Sequence, residues 1–163
     1  MIIRPAQTTD ALALSGLITE FRAALSSLRG NDKRMSPDQA KSELDEYCQK
    51  GFPIFTAEET GEIIGYLVCR VEDEVVWAES LFVQPQFRRR GVAGLLYAEA
   101  EKLAQALGGD APYNWVDPNN NAIIQFLRKR GYDVLNLIEL RRPYEGEHLT
   151  RVIKVGDQTF YSH

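Results

Sequence analysis

The chain has 163 residues, 44% hydrophobic and 26% charged, a length and balance that fit one globular domain over 1–163 with a single active site. A formal net charge of −4 argues against a surface built for nucleic acid and mildly favours a cationic substrate such as an amine. No apolar run approaches the length needed to cross a bilayer, and Met1-Ile2-Ile3-Arg4-Pro5 lacks the basic-then-apolar pattern of a secretory signal, so the expectation is a cytoplasmic protein with no membrane partner.

Cys48 and Cys69 stay thiols in such a reducing compartment. With only His148 and His163 present, a histidine metal cluster or a Ser-His-Asp triad lacks material, and no metal is expected.

In chain order, Ile2-Ile3 is a short apolar strand, and Thr8-Thr9-Asp10 caps a helix in which Leu14, Leu17, Ile18, Phe21, Leu25 and Leu28 recur with helical period. Gly30-Asn31-Asp32 breaks it. Ser36-Pro37-Asp38-Gln39 supplies a cap, a proline at the first helical position and a capping-box glutamine, which predicts a second helix to about Lys50, before Gly51. From Phe52 to Val83 the apolar runs are separated by Glu59-Thr60-Gly61-Glu62 and Glu72-Asp73-Glu74, a pattern that predicts a three-stranded antiparallel meander.

After Pro85, Val92, Leu95, Leu96, Ala100, Leu103 and Leu107 line one face of a helix that ends at Gly108-Gly109, and a short strand follows over Tyr113 to Val116. Asp117 to Asn121 is a turn and cap for a helix with Ala122, Ile123, Phe126 and Leu127 on its apolar face, stopped by Gly131. Val134 to Leu140 reads as another strand, and the tail from Leu149 to Tyr161 as a hairpin around Gly156-Asp157. The order implies a mixed α/β (α+β) layer with one central sheet flanked by helices, not the regular alternation of a doubly wound fold.

Arg88-Arg89-Arg90-Gly91 opens the helix after Pro85, where cations face the positive end of the macrodipole and call for an anion to offset them. First-turn N–H groups, a glycine that lets a ligand approach the main chain, and nearby guanidinium groups together suit a pyrophosphate. The Walker pattern and the glycine-rich Rossmann fingerprint are both absent. As a nucleic-acid contact the arginine triplet lacks an aromatic stacking series and sits in an acidic chain.

These motifs resemble the GCN5-related N-acetyltransferase (GNAT) superfamily. Arg88-x-x-Gly91-x-Ala93 is similar to its Arg/Gln-x-x-Gly-x-Gly/Ala motif, with Val83-x-Pro85-x-Phe87 before it, and Asn120, Ile123, Phe126 and Gly131-Tyr132 resemble its downstream segment, so the likeness runs from Phe52 to Leu140. The resemblance implies a largely antiparallel, twisted sheet of about six to seven strands, splayed between the fourth and fifth. It implies acetyl-CoA as cofactor: main-chain groups of Leu81 and Val83 beside the pantetheine arm, amides of Arg89, Arg90, Gly91, Val92, Ala93 and Gly94 on the pyrophosphate, charge from Arg88, Arg89 or Arg90, and Asn120 near the pantetheine. It also implies a homodimer, because exposed strand edges near the C-terminus need cover.

The expected reaction is transfer of an acetyl group to a primary amine of a small molecule, in preference to a protein or peptide, by direct attack in a ternary complex. The attacking amine must be neutral. Alternation along β-structure from Val75 to Val83 puts Val75, Trp77, Glu79, Leu81 and Val83 on one side, and a carboxylate in that apolar row binds a proton more tightly. Glu79 also occupies the position that resembles the family's glutamate base. Where the family carries a tyrosine to protonate the departing thiolate, this chain has Leu127, with Tyr97, Tyr132 and Tyr144 as weak substitutes. That departure leaves open a second reading, an acyl-CoA-binding regulatory or interaction domain with little catalysis. Substrate recognition is expected from the first two helices and the loop between them, Arg29 to Met35, and from Arg141 to His148.

Overall fold

Strand β1 (Ile2–Pro5) pairs antiparallel with β2 (Ile54–Glu59), so the helices encoded between them are looped onto the face of one sheet. The structure is a computed structural model and describes residues 1–163. After a short turn of 3₁₀ helix at Thr8–Asp10 come α1 (Ala11–Leu28) and α2 (Pro37–Gln49). Ser36 and Gln39 form the expected reciprocal capping box, with Gln39 N donating to Ser36 Oγ at 3.2 Å and Ser36 N to Gln39 Oε1 at 2.9 Å.

β3 (Glu62–Glu72) and β4 (Val75–Val83) complete a four-stranded antiparallel sheet in the order β1-β2-β3-β4. The links are two-residue turns in which both residues have positive φ, 51° and 81° at Thr60-Gly61 and 49° and 66° at Asp73-Glu74. Such turns match the right-handed twist of the strands they join. β3 is buried continuously from Ile63 to Cys69 because both of its faces are covered. On one side Tyr66, Val68 and Phe82 pack against Leu14, Leu17 and Ile18 of α1 and Leu44 and Tyr47 of α2. On the other, Leu67, Cys69, Val76 and Val83 meet Val92, Leu96 and Ala100 of α3 (Val92–Ala106).

α4 (Asn121–Lys129) is capped by Asn120, whose Oδ1 accepts from Ile123 N at 3.3 Å. The C-terminal hairpin forms as read, with β5 (Arg151–Val155) and β6 (Gln158–Ser162) in a separate two-stranded sheet. It is held to the turn before α4 by Arg151 Nη1 to Pro118 O at 3.2 Å and Asn119 Nδ2 to Ser162 Oγ at 3.3 Å.

The antiparallel sheet flanked by helices agrees with the expected class, but the six strands do not form one sheet: four make the central sheet and two the separate hairpin. The strand read over Tyr113 to Val116 is a single parallel bridge, with Tyr113 N donating to Val76 O at 2.8 Å and Ala78 N to Tyr113 O at 2.9 Å. Pro112 has no N–H to extend it. With that edge missing, Val134 to Leu140 has nothing to pair with and forms no strand. A second correction concerns apolar length: Thr8–Leu28, 21 residues containing an 18-residue window with a mean hydropathy of 1.2, is long and apolar enough to cross a membrane by those measures. Here its apolar stripe, Leu14, Leu17, Ile18 and Phe21, packs on the sheet.

Candidate active site

β4 changes phase at Glu79. Ala78 is opposite Cys69 and Ser80 opposite Val68, so Glu79 is the extra residue of a β-bulge. The uninterrupted alternation expected from Val75 to Val83 is therefore corrected: Leu81 and Val83 pack with Val76 and Ala78 toward α3, whereas Glu79 points to the α2 side with Arg70. Arg70 Nε donates to Glu79 Oε2 at 3.0 Å, so the carboxylate has a cationic partner in place of an apolar row.

Glu79 and Arg70 line a cleft of about 540 Å³ whose opposite wall is α2, with Asp38, Ser42, Glu43, Glu46 and Tyr47. Arg22 closes one side through Glu43, at 2.7 Å. Of the segments expected to flank the amine side, α2 lines this cleft, and Arg29 of the Arg29–Met35 loop is tied to Asp117 at 2.8 Å. The Arg141 to His148 segment is likewise folded on itself, Arg141 and His163 both binding Glu147. These bonds, with the Tyr144 amide, hold the Glu147 carboxyl down to about 2.

Sequence reasoning missed the group around Glu79. The Arg70 guanidinium lies over the rings of both Trp77 and Trp115, at 5.0 Å and 4.8 Å from their centroids, which are 5.2 Å from each other, and its Nη2 is buried without a hydrogen-bond partner. The two-residue turn at Asp73-Glu74 pairs Arg70 with Trp77, so hairpin register was a usable signal for that contact. Trp115, far away in sequence, had none. Ser80, next to the bulge, is buried and shares a 2.8 Å hydrogen bond with the Tyr66 hydroxyl. Desolvation raises the Tyr66 hydroxyl well above the usual tyrosine range.

Beyond Ala78 no strand covers the outer edge of β4, so the sheet opens from Glu79 to Val83, immediately past the Tyr113 bridge. The opening leads to the start of α3. Arg89 and Gly91 both have positive φ, 60° and 82°, and Gly91 is the left-handed residue from which the helix starts. None of the six amides from Arg89 to Gly94 donates a backbone–backbone hydrogen bond. Orphan donors at the positive end of a helix dipole form an anion cradle. Val92 is buried in the core and Ala93 packs against it, so these two can serve a ligand only through their main chain.

The three arginines are not equivalent. Arg88 Nε donates to Val83 O at 2.8 Å, stapling the loop to β4 and using one of the main-chain groups expected to meet pantetheine. Arg90 Nη2 reaches both carboxylate oxygens of Glu59 at 2.9 Å. Arg89 makes no ion pair. The side chain of Asn120 is committed to capping α4, and Leu127 is buried. Tyr97 is buried and donates to Asn114 Oδ1 at 2.9 Å, Tyr132 donates to Glu101, and desolvation raises both hydroxyls, Tyr132 to about 12. Both therefore stay protonated at neutral pH as packing groups.

An antiparallel sheet thus opens beside an amide-lined helix start. The chain belongs to the Acetyltransferase (GNAT) family, whose profile matches residues 20–132. An uncharacterised N-acetyltransferase of Methanocaldococcus jannaschii is 27% identical over 92 residues, covering 52% of this chain and 41% of the relative. An acetyltransferase of Pectobacterium atrosepticum is 33% identical over 84 residues, covering 52% of this chain and 60% of the relative. The chain thus spans about half the length of these curated relatives. Among solved structures, the aminoglycoside N-acetyltransferase AAC(6')-Iy with a CoA-linked bisubstrate analogue superposes with a TM-score of 0.71 at 21% identity, covering 88% of this chain and 97% of that one. A Bacillus halodurans protein superposes with a TM-score of 0.72 at 22% identity, covering 88% and 100%. These two likenesses establish the fold.

Proposed function

We propose that this chain is an acetyl-CoA-dependent N-acetyltransferase that acetylates a primary amine of a small molecule within a ternary complex. The observation that carries the reading is the run of unbonded amides from Arg89 to Gly94, set at the positive end of α3 beside the open edge of β4. Gly91, Val92, Ala93 and Gly94 would hold the pyrophosphate through their N–H groups, Arg89 would add charge from its side chain, and the β4 edge at Leu81 and Val83 would align the pantetheine. Bound acetyl-CoA supplies an activated acyl carbon and a thiol leaving group whose pKa is near 8.5, the ordinary thiol value.

Glu79 is the group of this chain suited to accept the proton that the acceptor ammonium must lose. Arg70 fixes its orientation, and the bulge turns it toward the cleft. Carboxylates Asp38, Glu43 and Glu46 on the facing wall favour a cationic acceptor. Support for a small molecule comes from AAC(6')-Iy, a solved neighbour that acts on aminoglycosides.

Calorimetric titration with acetyl-CoA, free coenzyme A and ATP tests this reading. Binding of both coenzyme A species but not ATP, followed by turnover with an amine, is the expected result. Binding without turnover against a broad amine set would favour a CoA-binding regulatory domain, the reading motivated by buried Leu127.

A further inference from the structure

Arg70 engages one oxygen of Glu79 and leaves the other free. Its Nε donates to Oε2 at 3.0 Å, whereas Oε1 makes no hydrogen bond within the chain, so Oε1 is the oxygen of this carboxylate able to take a proton from an acceptor. That arrangement lasts only while the guanidinium keeps its place, and a second carboxylate competes for it. Arg70 Nη1 donates at 2.7 Å to Glu72 Oε2, on a side chain that is 58% exposed. Charge alone gives a long cation between two carboxylates, one of them in water, no unique orientation.

The two indoles supply the missing constraint. Trp77 is opposite Arg70 by strand register, and Trp115 reaches the guanidinium from the segment just past the Tyr113 bridge. At 5.0 Å and 4.8 Å both rings are within cation–π range. The Arg70 side chain is left only 15% exposed, and its Nη2 is buried with no hydrogen-bond partner. An unsatisfied donor is unfavourable, so its burial has to be imposed by packing. Low local polarity in turn strengthens the bond from Nε to Glu79.

Trp115 itself belongs to neither core cluster and is 68% exposed. Residues 114–116 make no backbone–backbone hydrogen bond. The segment is fixed instead at its two ends, by the bridge at Tyr113 and by Asp117 on Arg29 at 2.8 Å. Two anchors remote from each other in sequence thus set an indole against Arg70, where it adds little to the core and covers the cation that orients Glu79.

We infer that Trp115 is a positioning residue: its indole holds Arg70 in place and, through Arg70, keeps Glu79 Oε1 free for the proton of the acceptor. This rests on the acetyl-transfer reading above, with Glu79 as its base. Trp115→Ala should lower kcat on the order of tenfold while acetyl-CoA affinity stays within about threefold of wild type, because small displacements of a reacting group are costly. Trp115→Phe keeps an aromatic face and should recover most of the rate. In the Glu79→Gln background, Trp115→Ala should cost less than about twofold, since no base remains to be positioned. The Arg70 Nε–H signal, assigned in nitrogen-15 spectra by its absence from Arg70→Lys, should exchange with water roughly tenfold faster in Trp115→Ala than in wild type. Unchanged exchange would overturn the inference, as would equal losses of kcat from Trp115→Ala in the wild-type and Glu79→Gln backgrounds. If exchange quickens but Glu79→Gln turns over as fast as wild type, the hold of Trp115 on Arg70 stands and the assignment of Glu79 as the base falls.

Discussion

Arg70 and Glu79 meet side by side on adjacent strands, Nε to Oε2 at 3.0 Å, because the bulge in β4 turns Glu79 out of the phase of its neighbours. Without the bulge, Glu79 would share the α3-facing side with Leu81 and Val83. A single inserted backbone position therefore separates the carboxylate face from the strand edge where the cofactor arm is proposed to lie.

Glu79→Gln keeps the size and the hydrogen-bonding oxygen but cannot take a proton. Turnover near neutral pH should fall on the order of 10²-fold, and the loss should shrink as pH rises and the acceptor amine deprotonates unaided. Steady-state rates across pH check this. A wild-type profile in the variant would remove Glu79 from the reaction.

The arginines separate by their partners. Arg89, which makes no ion pair, should contribute to cofactor binding, and Arg89→Ala should weaken acetyl-CoA about tenfold, the worth of one charge-assisted hydrogen bond. Arg90→Ala removes an exposed pair with Glu59 and should leave affinity within about threefold. Calorimetry on both variants decides between this ranking and three equivalent arginines.

Gly91→Glu places an anion at the amide cradle and a side chain at φ 82°, a conformation that costs a residue with a Cβ about 1–2 kcal/mol. Nothing packs within 4 Å of where a Cβ would stand, so the domain should remain folded while acetyl-CoA binding is lost. Circular dichroism and titration on the same sample separate the two effects, and retained affinity would displace the proposed pyrophosphate site.

Asp10 is buried at the start of α1 and accepts from Arg4 at 2.7 Å and 2.9 Å and from Gln7 N at 2.8 Å. The bonds from Arg4 hold its carboxyl below the usual aspartate range despite opposing desolvation. Its contribution is present above the unfolded value of about 3.9 and is lost as pH falls through the lower folded value. Asp10→Ala should cost about 2 kcal/mol at pH 7 by urea denaturation, and the difference from wild type should narrow in the acid range.

Local chemistry was legible in the residues. The Ser36-Pro37-Asp38-Gln39 cap, the meander from Ile54 to Val83 and the hairpin around Gly156-Asp157 each depend on contacts a few residues apart, and each formed. The basic run before α3 could be read for the same reason, since a helix start and its amides are set by adjacent residues. The strands read at Tyr113 to Val116 and Val134 to Leu140 failed because a strand exists only where an edge is available to pair with it, and one bridge at Tyr113 leaves none.

The sequence by itself determined the family, the helices, the meander and the glycine-led start of α3, because those rest on short-range patterns. Only the tertiary structure decided which way Glu79 points, which arginine is unpartnered, and that α2 walls the cleft. Bulge position and ion pairing between segments as distant as Arg90 and Glu59 depend on how strands and helices pack, and periodicity along one chain carries no record of that.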